Sequence, residues 1–299
     1  MHQSEMYSSL ENLLNVLSYG RKFHIAVNDL SGILKQPLLR LEPKDCIHSK
    51  SICSAAKTTT RGFRYCWTCK CFATRKAVRG QEDFSGRCPI GLFEITHPVV
   101  ERGKVLCVVS IGNLLVDRAG TAALIRRTCA RTGVPTERVL RYLDETEPFD
   151  PEFPYGEILR MVDSYIRLVA EAQSQRETDG ALHWAVERAM NYAHSYYHND
   201  ITLKQLSRLI YINSKYLGRL FHQQTGVTFH AYLNELRLQH ALNLLVETDR
   251  KMIEIAGQVG FETVTYFNRR FRQKYGCTPT EYRAKMREKD LHFPEKMVK

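Results

Sequence analysis

The sequence predicts an α+β fold, in which a mixed α/β domain at the N-terminus is followed by an all-α domain with two helix-turn-helix units. Three observations support this prediction. Short β-branched runs alternate with helical segments up to about residue 150. From residue 181 onward, helices and tight turns follow one another. A pattern of about thirty residues then occurs twice in the last hundred, at a spacing of fifty residues.

Length and charge limit the classes of protein that this chain can belong to. Its 299 residues are enough for two domains, each with a hydrophobic core of its own. The net charge at pH 7 is +11, and residues 201–299 account for +8 of it. The excess positive charge therefore indicates a polyanionic partner for the last third of the chain.

Hydropathy and cysteine usage predict a cytoplasmic protein without a membrane partner. The stretch MHQSEMYSSL has no basic region followed by an apolar run, as a secretory signal would. The run VLCVVSIGNLLV is too short to cross a bilayer and is typical of a buried strand. Six of the nine cysteines lie between Cys46 and Cys88, which indicates reduced thiols, a metal site or a redox site rather than disulfides.

The elements of the first domain can be predicted in order. LENLLNVLSYG has leucines at helical spacing and predicts a helix that ends at Gly20. FHIAVNDLSGILKQ predicts a strand, a turn at Asp29–Gly32 and a second strand. HPVVERGKVLCVVSIGNLLV predicts a hairpin around Glu101–Lys104. Helices are expected over 118–131 and 136–144.

A helix and a polar hinge connect the two domains. PFDPEFP at 148–154 ends the first domain, and SQRETDG at 174–180 is the predicted hinge. We therefore predict domains at 1–150 and 181–299 with a linker helix in 151–180. An apolar stripe on this helix fits either a second copy of the chain, giving a homodimer, or the helix's own domain. The stripe consists of Ile158, Leu159, Val162, Tyr165, Ile166 and Val169.

The repeat in the last hundred residues predicts the two helix-turn-helix units. YLGRLFHQQTG at 216–226 and YFNRRFRQKYG at 266–276 share Tyr, Arg, Phe, Gln and Gly at equal offsets. Each copy follows a short amphipathic helix and a tight turn. In such a motif the second helix enters the major groove of DNA, so its arginines face phosphates and base edges. Residues 229–247 are expected to form a helical strut of about 28 Å, which with the width of a helix added could place the two units in adjacent grooves about 34 Å apart.

Residues 181–287 resemble the AraC/XylS family of transcription regulators, and IAGQVGFETVTYFNRRFRQKYGCTPTEYR carries the family's pattern. The resemblance implies a sequence-specific regulator of transcription that is not an enzyme, with double-stranded DNA and RNA polymerase as partners. Arginine suits guanine, asparagine suits adenine and valine suits the thymine methyl group. Gly218 offers the first groove no side chain. The residues expected to contact DNA are Lys215, Arg219, Val264, Thr265, Asn268, Arg269 and Arg272.

Two of the clustered cysteines have the spacing of a metal site. Cys66 and Cys69 form a C-x2-C pair, which can hold one ion between two thiolates. Cys46, Cys53, Cys71 or Cys88 could complete the set. The pattern therefore allows a metal ion or an iron–sulfur cluster at Cys66, Cys69 and Cys88, while the irregular distances and the lack of a second C-x2-C pair leave empty thiols as the alternative.

The first domain resembles the PocR-type sensory domain, a PAS-like module, over roughly residues 10–145. The hairpins, the paired cysteines and GRCPIGLFEITHPVV carry the resemblance. It implies a small-molecule effector and a ligand pocket, with His97 as a further liner. The pocket residues so implied are Cys66, Cys69, Cys88, Gly91 and Glu94.

The sequence therefore predicts a DNA-binding transcription regulator controlled by a small-molecule, metal or redox signal. An alternative arises because GFRYCWTC is also similar to the methyl-accepting cysteine domain of Ada-type repair proteins. Only twelve residues separate Cys53 from Cys66, and that spacing argues against a methyl acceptor. No nucleophilic triad, P-loop or glycine-rich dinucleotide motif is visible, so a conventional enzyme is not expected.

Overall fold

The chain folds into two compact units. The first comprises residues 1–188 and 204–214, and the second comprises residues 189–203 and 215–299. The computed structural model describes residues 9–41, 50–173 and 183–291. Cys46 and the predicted hinge at 174–180 lie outside the described residues, and the predicted domain boundaries stay predictions.

One sheet is the centre of the first compact unit. The described strands pair in the order β1-β4-β3-β2, all antiparallel, and a short β5 pairs parallel to the end of β4. They span His24–Asp29 (β1), Phe84–Arg87 (β2), Phe93–Glu101 (β3), Lys104–Leu115 (β4) and Glu147–Pro148 (β5).

The turn between β3 and β4 is the hairpin that the sequence predicts. Glu101 pairs with Lys104, and only Arg102 and Gly103 lie between them. Both have positive φ, 48° and 76°, which is the geometry that a two-residue hairpin of this kind requires. The predicted hairpin around Glu101–Lys104 is therefore confirmed.

Helices cover both faces of this sheet. In chain order they are α1 (Leu10–Leu17), α2 (Ser51–Ala56), α3 (Thr60–Gly80), α4 (Arg118–Thr132), α5 (Thr136–Leu140) and α6 (Tyr155–Gln173). Helices α3 and α6 each pack on β3 and β4. Because successive residues of a strand point to opposite faces, cover on both sides buries nearly all of β4.

The second strand predicted near residue 33 is wrong. Residues Ile33–Lys35 and Pro37–Leu39 form two short 3-10 turns instead. The Asp29 carboxylate accepts hydrogen bonds from the backbone N–H groups of Ser31 and Gly32, at 3.0 and 2.8 Å. An aspartate that bonds the backbone two and three residues ahead turns the chain, so these apolar residues cannot continue as a strand.

The apolar stripe of α6 packs on its own domain. Leu159, Val162 and Ile166 are fully buried, in one core cluster with Leu10 of α1 and Val109 of β4. Of the two partners that the stripe allowed, the structure therefore selects the helix's own domain. The homodimer stays a prediction, without this stripe to support it.

The rest of the described chain is helical, as predicted. Its helices are α7 (Trp184–Tyr196), α8 (Leu203–Leu209), α9 (Ser214–Thr225), α10 (Phe229–Glu247), α11 (Met252–Gln258), α12 (Val264–Tyr275) and α13 (Pro279–Leu291). Helices α8 and α9 form the first helix-turn-helix unit, and α11 and α12 form the second. Across the described ranges, no helix is both long enough and apolar enough to cross a membrane.

Candidate nucleic-acid interface and small-molecule cavity

The second helices of the two helix-turn-helix units each bury one face. Leu217 and Phe221 of α9 are fully buried, and so are Phe267 and Phe271 of α12. Tyr216, next to Leu217, is 43% exposed because it lies one position off the buried face. Burial of these faces leaves the opposite face of each helix in solvent.

The residues expected to contact DNA lie on or beside that exposed face. Lys215 and Arg219 of α9 are exposed, as are Thr265, Arg269 and Arg272 of α12. The remaining predicted contacts, Val264 and Asn268, are half-buried, as is Gly218.

Two of these residues have contacts that affect their availability. The guanidinium carbon of Arg269 lies 5.3 Å from the centre of the Tyr266 ring, an attractive arrangement that helps to orient the arginine. The Oδ1 atom of Asn268 is buried and has no hydrogen-bond partner among the described residues. Contact of each residue with DNA bases stays a prediction.

Two of the four positively charged side chains of α12 contact other residues of the protein. Lys274 forms an ion pair with Glu235 of α10, and Arg270 donates from Nη1 to Oε1 of Gln273 at 2.7 Å. Neighbouring groups therefore offset part of the repulsion among these side chains. Arg269 and Arg272 are the cations of α12 best placed to meet an anionic partner.

A buried arginine fixes the strut α10 within the second compact unit, and the sequence pattern does not predict it. Arg237 is only 8% exposed, and it donates to the backbone carbonyl oxygens of Tyr197 and Asn199 at 2.7 and 2.9 Å. These carbonyls follow the C-terminal end of α7, where backbone acceptors lack helical partners. Burial lowers the pKa of Arg237, yet the side chain stays charged because an arginine pKa is so high.

The strut α10 also contacts α12, the second helix of the second helix-turn-helix unit. Asn234 of α10 donates from Nδ2 to the hydroxyl oxygen of Tyr266 at 3.0 Å. The hydroxyl of Thr263 accepts from the backbone N–H of Tyr266 at 3.2 Å and caps the start of α12. Contacts to two neighbours therefore set the position of the first turn of α12.

A cleft of about 660 Å³ opens on the first compact unit beside α3. Residues that recur every three or four positions along α3 form one wall, and the end of α4 with the loop after β2 forms the other. The lining residues are Arg61, Arg64, Tyr65, Thr68, Cys69, Phe72, Pro89, Arg131 and Thr132.

A smaller inner pocket, of about 40 Å³, shares Tyr65, Cys69 and Pro89 with the cleft. In it the Nζ of Lys70 lies 2.6 Å from Oε1 of Glu94. Its lining residues are Cys53, Ala56, Gly62, Tyr65, Cys66, Cys69, Lys70, Cys88, Pro89, Ile90, Glu94 and Thr128. The structure thus brings together four of the five predicted pocket residues.

Burial holds three of the thiols around this inner pocket in the neutral form. Burial raises the pKa of Cys53 to about 12 and that of Cys69 to about 11. Burial also raises the pKa of Cys88 well above its usual value. Desolvation disfavours a thiolate, so these sulfurs are protonated at neutral pH and behave as small, weakly polar surface.

The structure does not bring Cys66, Cys69 and Cys88 into the arrangement that the predicted metal site requires. In the part of the chain that the structure describes, no group of three or more His, Cys, Asp or Glu side chains is placed to hold a metal ion. Cys66 and Cys69 lie within a continuous helix, so their spacing is also the spacing of one helix face.

Two residues considered for the pocket, Gly91 and His97, lie elsewhere, and so does Cys71, which was considered for the metal site. Gly91 is not among the lining residues: its backbone N–H donates to the carbonyl of Cys88 at 2.8 Å and closes a turn. Cys71 lines a separate hollow with Arg75 and Arg208. His97 lies on β3, with Nδ1 2.5 Å from Oδ1 of Asp83.

Sequence reasoning missed Arg61, Arg64, Lys70 and Arg131 as lining residues. A signal was present for Arg61 and Arg64, because positions 61, 64, 68 and 72 recur at spacings of three and four residues. The dense cysteines of this segment point to metal binding and obscure that periodicity. Arg131 could not be found in this way, since it reaches the cleft from a helix almost sixty residues further along.

Comparisons with known proteins match both parts of the chain. Residues 7–173 match the sensory domain found in PocR, and residues 206–285 match a helix-turn-helix domain. The regulatory protein PocR of Salmonella typhimurium is 23% identical over 222 residues, which are 68% of this chain and 71% of that protein. The uncharacterized HTH-type transcriptional regulator YisR of Bacillus subtilis is 39% identical over 95 residues, 32% of this chain and 33% of that protein.

Two solved structures of bacterial regulator domains are each similar to about a third of this chain. One is the C-terminal domain of the two-component response regulator yesN from Fusobacterium nucleatum, which is 39% identical with a TM-score of 0.32. The match covers 33% of this chain and 97% of the yesN domain. The DNA-binding domain of AdpA, solved in complex with a target DNA, is 25% identical, covers 36% of this chain and 97% of that one, and has a TM-score of 0.34.

Proposed function

Since the chain belongs to the AraC-type DNA-binding transcription regulators that carry an N-terminal PocR sensory domain, we propose that a small molecule bound beside α3 controls its binding to DNA. The single observation that carries this proposal is the cleft with its inner pocket. Its volume is in the range of small-molecule sites, and the predicted residues Cys66, Cys69, Cys88 and Glu94 meet at its inner end.

The pocket suits binding better than thiol chemistry. A thiol that reacts with an oxidant, or accepts a methyl group, does so as a thiolate. Here burial raises the pKa of Cys53 and Cys69, which suppresses the thiolate. We therefore place non-covalent binding ahead of a redox signal, and no observation favours the methyl-acceptor alternative.

On the DNA side, the exposed faces of α9 and α12 are the proposed reading surfaces. In our proposal Arg219 and Arg269 contact bases, while Lys215 and Arg272 contact phosphates. RNA polymerase and a second copy of the chain are further proposed partners, and neither has a surface assigned to it.

Helix α3 offers a route for the signal within the first compact unit. Its cavity face carries Cys66 and Cys69, and its next face carries Trp67, whose Nε1 donates to the backbone carbonyl of Gln205 at 3.3 Å. Asn28 of β1 likewise donates to the carbonyl of Leu209 at 3.3 Å. A ligand that moves α3 would therefore shift its contact with α8, the first helix of the first helix-turn-helix unit.

The experiment selects preferred duplexes from random sequence with the full chain, then measures their binding by fluorescence anisotropy at two salt concentrations. We expect salt-sensitive binding that favours selected over scrambled duplexes. Equal binding to both would contradict a sequence-specific regulator.

The cavity is tested with ligands found by a thermal-shift screen of small molecules on the full chain. Thr68→Trp, which fills the cleft, should abolish both the thermal shift and any ligand effect on operator binding. Ala123→Trp is the matched control, because it adds the same side chain to an exposed position of α4 outside the cleft. A full ligand response in Thr68→Trp would show that the effector binds elsewhere.

A further inference from the structure

The two helices that form the cleft are strongly and one-sidedly charged. Helix α3 contains six Lys and Arg residues and α4 contains four, and neither helix contains an Asp or Glu. The balance over the first 200 residues is only +3, so positive charge is concentrated here. The two helices pack against each other, which brings both sets of cations to one side of the unit.

Three of these cations converge on the cleft. Arg61 and Arg64 reach it from the first turns of α3, and Arg131 reaches it from the last turn of α4. No acidic side chain is among the residues that the structure places in the cleft lining. Convergence from two helices distinguishes these arginines from an ordinary solvated helix face.

Several other cations of the same helices have local partners. Arg118 lies 2.8 Å from Oδ1 of Asp144, and Lys76 lies 4.4 Å from the centre of the Phe84 ring. Arg75 lies 5.7 Å from the ring of Phe72. No acidic side chain of the lining offsets the positive charge that Arg61 and Arg131 bring to the cleft.

The remaining surface of the cleft is apolar. Tyr65 and Phe72 lie two turns apart on α3 and are 42% and 63% exposed, although both are large hydrophobic side chains. Pro89 and the neutral thiol of Cys69 continue this surface toward the inner pocket. A bare inorganic anion would leave these rings in water, whereas a carbon skeleton would cover them.

We propose that the effector is a small organic carboxylate, whose apolar skeleton covers Tyr65 and Phe72 while its carboxylate binds Arg61 and Arg131. This inference rests on the proposed function and names the chemical class of its ligand. A guanidinium group presents two parallel N–H donors that match the two oxygens of a carboxylate. The inner pocket, at about 40 Å³, has room for one methyl-sized group or one water, so the skeleton lies mainly in the outer cleft.

The experiment uses isothermal titration calorimetry on the full chain with pairs of probes that differ only in charge. The probes are hexanoate with hexanamide and benzoate with benzamide, and inorganic phosphate tests the bare anion. We expect each carboxylate to bind at least about tenfold more tightly than its amide, because hydrogen bonds between two charged groups are stronger than those to a neutral group. Raising the salt concentration should weaken the carboxylates alone.

Arg61→Gln and Arg131→Gln should each weaken carboxylate binding by about tenfold and leave amide binding unchanged. The matched control is Arg126→Gln, because Arg126 is exposed on the same helix as Arg131 and lies outside the cleft lining. It should leave the affinity for both members of each pair as it was.

Several results would overturn the proposal. One is amides that bind as tightly as carboxylates, and another is an Arg126→Gln variant that loses as much affinity as Arg61→Gln. If phosphate binds as tightly as the carboxylates, the ligand's apolar skeleton contributes nothing and the proposed contact with Tyr65 and Phe72 is wrong. A third is a cleft that binds DNA instead. In that case Arg61→Gln and Arg131→Gln would abolish binding of a random duplex, and the unaltered chain would bind carboxylates no more tightly than amides.

Failure of this inference can be told from failure of the proposed function. Operator preference of the unaltered chain is measured separately. If that preference is present while no carboxylate exceeds its amide, only the assigned ligand class is lost.

Discussion

The two helix-turn-helix units reach equivalent second helices by turns of different length. Four residues, 210–213, separate α8 from α9, whereas five residues, 259–263, separate α11 from α12. In the first turn Tyr211 has a φ of +57°, and in the second Gly260 has a φ of +94°. The fifty-residue register holds for the second helices, which start at 214 and 264, but slips by one residue where the first helices end.

The reason for the difference lies in how closely each turn is packed. A Cβ atom on Gly260 would lie 2.8 Å from the carbonyl oxygen of Tyr197 and 2.9 Å from the backbone of His198. Tyr211, by contrast, is 47% exposed. In the second turn the backbone at Gly260 therefore packs directly against the backbone of 197–198, which leaves no room for a side chain. In the first turn there is room for the side chain of Tyr211, although its positive φ is strained.

The two second helices also differ in charge. Helix α9 carries Lys215 and Arg219, while α12 carries three arginines and Lys274. The two additional cations of α12, Arg270 and Lys274, contact Gln273 and Glu235 but keep part of their surface in solvent. We therefore expect the second helix-turn-helix unit to contribute more to DNA affinity than the first.

The largest expected effect is that of Gly260→Ala, which tests the packed turn. The new methyl group would overlap the backbone at 197–198, and alanine would also be held at a positive φ. We expect a loss of about 3–4 kcal/mol in unfolding free energy, measured by denaturant titration of the full chain.

Gly226→Ala is the matched control for that substitution. Gly226 also has a positive φ, +74°, but a Cβ atom there would meet nothing within 4 Å. It should cost about 1–2 kcal/mol, the conformational part alone. Equal losses in the two variants would mean that close packing does not distinguish Gly260.

Arg237→Met tests whether the strut and the packed turn depend on the same backbone segment. Methionine keeps much of the apolar stem but leaves the carbonyls of Tyr197 and Asn199 without this donor. We expect a loss of about 2–3 kcal/mol in unfolding free energy, since two hydrogen bonds from a charged donor would be lost at a site largely shielded from water.

Gln239→Met is the matched control for the loss of the buried guanidinium group. Gln239 lies two residues further along the same helix and is exposed, so the same new side chain enters at a position without buried contacts. This variant should change the unfolding free energy by less than about 0.5 kcal/mol. An Arg237→Met variant as stable as Gln239→Met would contradict the role assigned to Arg237.

Arg269→Ala and Arg219→Ala compare the two reading helices directly. We expect Arg269→Ala to weaken specific DNA binding by about 1–3 kcal/mol and to relax the preference at one base position. Arg219→Ala should have a smaller effect, because Gly218 leaves α9 with fewer side chains to contact the groove. Binding to selected and random duplexes, measured by fluorescence anisotropy, separates the two kinds of contact.

Binding of the Arg269→Ala variant to random DNA decides whether Arg269 contacts bases or phosphates. An equal loss on selected and random duplexes would show a phosphate contact only. A larger loss for Arg219→Ala than for Arg269→Ala would reverse our ranking of the two helix-turn-helix units.

The smallest expected effect is that of Tyr211→Gly, which tests the strained turn. Glycine adopts a positive φ without the penalty of about 1–2 kcal/mol that other residues carry. Its greater freedom in the unfolded chain offsets about 0.5–1 kcal/mol of that gain. We therefore expect a net stabilisation of about 0.5 kcal/mol by denaturant titration. A clear destabilisation would show that the tyrosine ring supplies more than the strain removes.

Patterns in the sequence predicted local structure well where one residue type repeats at short range. The hairpin at Glu101–Lys104 and the helices of the second half of the chain were predicted because their signals lie within ten to twenty residues. The strand predicted near residue 33 failed because the side chain of Asp29 bonds the following backbone, which an apolar pattern does not report.

The candidate sites were predicted unevenly for the same reason. Cys66 and Cys69 share a helix face whether or not they bind an ion, so their spacing indicated a cluster without fixing its chemistry. Arg131 and Arg237 could not be predicted, since each acquires its role from residues that are distant in sequence. Spacing along one helix contains no information about what another helix brings to it.

By itself, the sequence determined the division into an α/β part and a helical part, the duplicated helix-turn-helix units and the concentration of positive charge near the C-terminus. These follow from periodicity and composition, which the chain carries in any conformation. Only the tertiary structure decided that the stripe of α6 packs on its own sheet, that Arg237 is buried, and that two cationic helices enclose one cleft. Each of these depends on which surfaces meet when distant segments exclude water together, and that is a property of the packed chain as a whole.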